Sequence, residues 1–243
     1  MSSGFTTHAG FQSFRGYVEP PFPSCVLAPD FNSIDCWKAL DASRNANKAI
    51  RQKVPSVLPS GLKVNYFDGL GATRLTITQS TSLNTLTAQT LIGWIKPDAD
   101  IVTTAKIFEK GLTTDDYTSL SWITDGALVF YRKRATTSPT WTSETARVPV
   151  STWTMYAIAY DSSDVVNDPE IYFNGCFCGV ITESAAPVGA ISDDASNSIF
   201  LGSRSNGSLP FKGYIGQQWE FNEKLTPAQV RIVYNQTRWL YGV

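Results

Sequence analysis

The chain has 243 residues, 42% hydrophobic and only 17% charged, with 20 Lys and Arg against 21 Asp and Glu and a formal net charge of −1. Its densest basic patch is "YRKRA" at 131–135, so the electrostatic footprint of a nucleic-acid binder is missing, and no apolar run approaches the ~18 residues of a membrane span. Low charge with abundant Thr, Ser and aromatic residues suits a sheet protein, and a chain of this length forms one large β domain with enough core to fold unaided.

Residues 1–24 are rich in Gly and Pro and carry Phe5, Phe11, Phe14, Tyr17 and Phe22. An aromatic-rich segment is not the composition of a solvated tail. It reads as an extended arm that packs on its own domain or docks on a neighbouring subunit. It has neither a positive n-region nor an apolar h-region, so it does not read as a signal peptide. One domain, 25–243, follows.

Strand signals then recur at regular spacing. "KVNYFDG" (63–69) and "TRLTITQ" (73–79) are β-branched and aromatic, with Gly69 and Gly71 between them. "QTLIGWIKP" (89–97) is apolar on both faces, which predicts a central strand stopped by Pro97. "TAKIFEKG" (104–111), "YTSLSWITDG" (117–126) and "ALVFYRKRA" (127–135) follow, while "TTSPTWTSET" reads as a polar loop. In "WTMYAIAYDSS" (153–163), Met155, Ala157 and Ala159 share one face and Tyr156, Ile158 and Tyr160 the other. "PEIYFNGCFCGVI" predicts a hairpin, because Asn174-Gly175 supplies the two positive-φ residues of a type I′ turn. "SIFLGSR" (198–204) and "FKGYIGQQWEFN" (211–222) close the series. The many short strands predict an antiparallel sandwich or barrel. One helix ends the chain: Thr226 is its N-cap, Pro227 its first residue, and Gln229 completes a capping box. Val230, Val233 and Tyr234 form its apolar stripe, and the expectation is that it packs across a sheet edge.

Four cysteines pose a separate question. Cys176 and Cys178 are two apart on the predicted second strand of the hairpin. The extended backbone then holds their sulfurs apart, against a mutual disulfide. Zinc wants a longer gap and two more ligands, and the one histidine, His8, lies in the arm. Two readings stand, a metal or redox pair and a small apolar pair on the buried face, and the second fits better. A Cys25–Cys36 bridge stays open but has no support from the compartment.

Five of these segments, in order, carry a resemblance. "YFDGLGATRLTI", "TLIGWIKP", "WTMYAIAYD", "IYFNGCFCG" and "IFLGSRSNGSLPFKGYIGQQWEFNEKLTPAQVRIVYN" resemble the consecutive strand motifs of laminin-G-like, concanavalin-A-like jelly rolls. "LDASRNANKAI" (40–50) is similar to the segment ahead of their first long strand. The resemblance spans about residues 25–241. It implies an all-β, two-sheet antiparallel jelly-roll sandwich, here with an N-terminal arm and one short C-terminal helix. Members of the family bind sugars, proteins, lipids or calcium, or are structural, so the fold leaves function open.

Enzymatic signatures are missing. Glycosidases on this fold need two carboxylates set across a cleft, and Glu109, Glu144, Glu170, Glu183, Glu220 and Glu223 lack the family's E-x-D-x-x-E spacing. Glu220 and Glu223 read as solvated charges at a strand end. No phosphate loop or G-x-S-x-G occurs. No cofactor is required, but calcium is a candidate ligand, because hard cations want loop carboxylates and carbonyls. Asp115 and Asp116 in one acidic loop and Asp193, Asp194 and Asn197 in another offer them, unless they are simple turn formers. Of seven tryptophans, Trp94, Trp153 and Trp219 fall on core positions of the family. Trp141, in its polar loop, is the expected exposed one, and either binds glycan or packs its loop.

The expectation that follows is a non-enzymatic structural or decoration protein on the surface of a virus particle, of the bacteriophage kind. It is made in the host cytoplasm without a signal peptide, and the arm docks it, as an oligomer, to capsid or other virion proteins. A lectin-like adhesion module binding host-surface glycan, with or without calcium, is the alternative, and a glycoside hydrolase the remote one.

Overall fold

The structure is a computed structural model that describes residues 22–30, 38–41, 43, 45, 47, 49–50, 55–101, 104–112, 115–179 and 181–243. The arm residues Phe5, Phe11, Phe14 and Tyr17, and Cys36, lie outside the described residues. The strands in chain order are β1 (Cys25–Leu27), β2 (Pro29–Asp30), β3 (Lys38–Asp41), β4 (Ala49–Ile50), β5 (Ser56–Val57), β6 (Lys63–Asp68), β7 (Leu75–Ile77), β8 (Ala88–Pro97), β9 (Ala105–Leu112), β10 (Asp115–Trp122), β11 (Leu128–Arg132), β12 (Thr140–Ser143), β13 (Thr154–Asp161), β14 (Glu170–Phe173), β15 (Cys176–Phe177), β16 (Ile181–Glu183), β17 (Ile199–Leu201) and β18 (Lys212–Phe221). Helix α1 (Pro227–Thr237) and a 3-10 turn (Arg238–Tyr241) end the chain. Among the described residues no helix is long and apolar enough to cross a membrane.

All pairings are antiparallel and build two sheets. The first runs β15-β14-β13-β8-β18-β6-β5, with β1 also on β18; the second runs β16-β12-β11-β10-β9-β17-β7-β4-β3-β2. This is the jelly-roll sandwich. The continuous apolar pattern of β8 has its reason in a third layer. Leu91 and Ile95 face the second sheet, while Ile92 and Trp94 face a second core under α1 and the 3-10 turn. β13 divides in the same way, Tyr156, Ile158 and Tyr160 to one core and Met155, Ala157 and Ala159 to the other.

The C-terminal segment therefore lies over the face of the first sheet, not across an edge. Trp94 is the reason: its ring stacks on Tyr241 at 4.2 Å and on Tyr234 at 5.9 Å. Its Nε1 donates to Thr237 Oγ1 at 3.1 Å. An indole that large needs a cover and a polar partner for its N–H. The predicted cap is present, with Gln229 N donating to Thr226 Oγ1 at 3.3 Å and Thr226 N donating to Gln229 Oε1 at 2.8 Å.

Residues 140–143 are a strand, not a loop. Their burial alternates, with Trp141 and Ser143 inward, and β12 pairs with β11 and β16. A four-residue strand with one apolar side chain carries too little periodicity to be read from sequence. Phe22 meets Phe221 edge-on at 6.1 Å, so the last aromatic of the predicted arm packs on its own domain.

Candidate functional site

The residues singled out in the sequence fall in different places. Trp141 is fully buried, which corrects the expectation of an exposed indole. It packs between Phe130 and Tyr160, at 5.9 and 5.1 Å, and donates from Nε1 to Asp168 Oδ1 at 3.0 Å. No sugar reaches that ring.

Asp194 is also interior, at 1% exposure. Its Oδ1 is 2.7 Å from Lys110 Nζ and its Oδ2 3.3 Å from Arg132 Nη1. Thr85 N donates to the same Oδ1 at 2.6 Å. A buried carboxylate held between two buried cations is their counter-ion. Asp194 is a structural counter-ion. Asn197 is buried beside it. Asp193 is exposed and accepts from Thr85 Oγ1 at 2.9 Å and Ala195 N at 3.0 Å. The Ala195 N–H holds its carboxyl below the usual range. Asp115 and Asp116 open β10, paired with Leu112 and Gly111. Among the described residues no three metal-capable side chains converge.

Glu220 departs most from its sequence reading. It is 3% exposed, points between the sheets, and has no partner for Oε2 among the described residues. Burial pushes its carboxyl up to about 7, with Lys110 and Arg132 opposing and Asp194 adding to the rise. It is not a solvated strand-end charge, because the register Glu220↔Leu91 turns it into the sandwich. Glu223, three residues on, lies near the surface and accepts from the Ser24 hydroxyl.

The hairpin leads to a surface site. Asn174 and Gly175 have φ of 51° and 75°, the type I′ geometry that their identities require. A Cβ on Gly175 would meet the Tyr234 side chain at 3.0 Å, so the turn rests directly on α1. The strand then ends at Phe177. Cys176 is exposed and Cys178 is buried, so they are not a pair on one buried face: the expected alternation stops where β15 stops.

What this arrangement leaves open is a groove of about 570 Å³. Tyr172, Cys176 and Phe177 form one wall and Pro227, Arg231 and Ile232 the other. Phe177 is 56% exposed and sits 5.6 Å from the Tyr172 ring. Ile232 is 42% exposed on the facing helix. The Arg231 guanidinium is 3.6 Å from Cys176 Sγ. An exposed aromatic and an exposed aliphatic thus line the same groove. The sequence signal is Phe177 itself, an aromatic between two cysteines just past the Asn-Gly turn.

A flatter aromatic row lies on the first sheet beyond the helix. Tyr66 and Tyr214 are 4.9 Å apart, and Trp153 is 6.2 Å from Tyr214. Its polar groups are satisfied internally: the Tyr66 hydroxyl donates to Asp98 Oδ2 at 2.8 Å, and Lys212 pairs with Asp100. That bond and burial push the Tyr66 phenol up to about 12. With Asp98 and Asp100 already engaged by Tyr66 and Lys212, and Lys96 lying over the Tyr214 ring at 6.0 Å, the row is the poorer site.

A laminin G family model, described as the concanavalin A-like lectin/glucanases superfamily, matches residues 70–231. No curated protein matches the chain in sequence. Among solved structures, the binding domain of Paraclostridial Mosquitocidal Protein 1 aligns at 15% identity and a TM-score of 0.65, over 88% of this chain and 53% of that one. The binding domain of botulinum neurotoxin serotype G aligns at 13% identity and 0.68, over 86% and 50%. The receptor-binding domain of botulinum neurotoxin D aligns at 12% identity and 0.67, over 88% and 52%. The chain thus spans about half the length of these binding domains, and the likeness is one of fold.

Proposed function

The chain belongs to the concanavalin A-like lectin/glucanase superfamily, and from that premise we propose that it works as a non-enzymatic, lectin-like module that attaches its carrier to a glycan-bearing surface. The observation that carries this reading is the groove between the β14–β15 hairpin and α1, with Phe177 exposed on its wall. An exposed ring offers its face to the C–H groups of a pyranose, and sheet and helix elements hold it rigidly.

What supports a non-catalytic role is where the carboxylates lie. None lines the groove. Glu220 is buried, Glu109 lies 3.5 Å from Arg204, and Glu170 pairs with Lys224 at 2.7 Å. Hydrolysis of a glycoside needs two carboxyl groups facing one bond. Two solved structures of similar fold are receptor-binding domains of botulinum neurotoxins, which agrees with a binding role.

A place on a virus particle is the second half of the proposal. It rests on the composition of the arm, and the described end of that arm packs inward through Phe22. The glycan-binding reading therefore leads. Screening the purified protein on an array of surface glycans, with the Phe177→Ala variant beside it, tests it. Binding by the native protein and loss in the variant supports the reading; no binding to any glycan ends it.

A further inference from the structure

The groove is apolar on its walls and electrically one-sided. Arg231 is its single cation, and no acidic residue lines it. The guanidinium has the Cys176 sulfur at 3.6 Å as its neighbour and no carboxylate partner among the described residues. The first turn of α1, which supplies Pro227 and Ala228 to the groove, contains no acidic residue. The positive end of the helix dipole is thus not neutralised from within the helix. Glu170, on the same strand as Tyr172, is spent on Lys224 at 2.7 Å and on the Tyr172 hydroxyl.

We propose that the groove selects an acidic sugar, a pyranose whose apolar face lies on Phe177 and whose carboxylate is taken by Arg231. This rests on the lectin-like reading and names its ligand class. A neutral sugar gains only the stacking contact. A carboxylated one adds a charge-assisted hydrogen bond to a planar, permanently charged fork. Arg231 and Ile232 are both exposed on α1 and both line the groove with Phe177.

The test compares two probes that differ only in the carboxylate, methyl β-glucuronide and methyl β-glucoside, titrated into the full chain by NMR. The glucuronide is expected to bind at least about tenfold more tightly, with the preference shrinking as sodium chloride is added. Arg231→Gln should abolish the preference without lowering the melting temperature, since Arg231 is exposed and makes no buried bond, and Arg231→Lys should restore part of it. Phe177→Ala should weaken both probes. Equal affinity for the two sugars, or a preference that survives Arg231→Gln, overturns the acidic-sugar assignment while leaving a lectin in place. Acetate or a peptide with a free C-terminus binding as tightly as the glucuronide overturns the sugar class. If neither sugar binds, this inference fails, and the glycan array alone decides the lectin-like reading.

Discussion

A carboxyl group buried with one oxygen unpartnered is costly to keep ionised, and Glu220 is in that position between the sheets. Its folded value of about 7, against an ordinary 4.5, means that the folded protein holds this proton more tightly than the unfolded one. Its contribution to stability is complete below pH 4.5 and is lost as pH rises through 7. The difference is about 3 kcal/mol at one pKa unit per 1.36 kcal/mol. Urea unfolding at pH 5 and pH 8 should show Glu220→Gln matching the native protein in acid and exceeding it in base. A variant that tracks the native protein at both pH values contradicts this account. Trp141 gives a second prediction at this scale. Trp141→Phe removes the bond to Asp168 and some packing, and should lower stability by about 1–3 kcal/mol without changing glycan affinity. Lost binding at unchanged stability would put the indole on the surface after all.

The elements show which parts of the chain could be read in advance. β8 and β13 were legible because two-sided burial writes itself as an unbroken apolar run. α1 was legible because Thr226, Pro227 and Gln229 spell a cap. Replacing Thr226 with Ala should cost about 1 kcal/mol, measurable as a lower urea midpoint. Gly175→Ala should cost more than a surface substitution, because φ is +75° and Tyr234 stands in the way. β12 escaped because Trp141 is its one large apolar residue, and the strand is completed by pairing with β11 and by Leu128 N donating to Ser143 Oγ at 3.0 Å. Those are long-range facts. The burial of Glu220 and Asp194 is hidden for the same reason: their sequence neighbours look like strand ends and acidic turns. Their cations, Lys110 and Arg132, lie 62 residues or more away from Asp194. The groove was half visible. The Asn-Gly turn and the helix were each predicted, but their contact through Gly175 and Tyr234 is tertiary.

At the scale of the molecule, the two sheets and the C-terminal cover form a frame that buries Asp194 against Lys110 and Arg132, while Arg231, the one cation of the groove, is exposed. A binding module needs its contact residues on regular elements, and Phe177 stands on β15 and Arg231 on α1. The molecule should therefore bind glycan without consuming it, and incubation with the glycans it retains should release no reducing sugar. The most direct measurement of the central claim is a chemical-shift map of the full chain with a retained glycan. Shifts concentrated on Tyr172, Phe177, Arg231 and Ile232 are the predicted result. Shifts confined to the Tyr66–Tyr214 row or the Asp193 loop, with the groove unmoved, would contradict it.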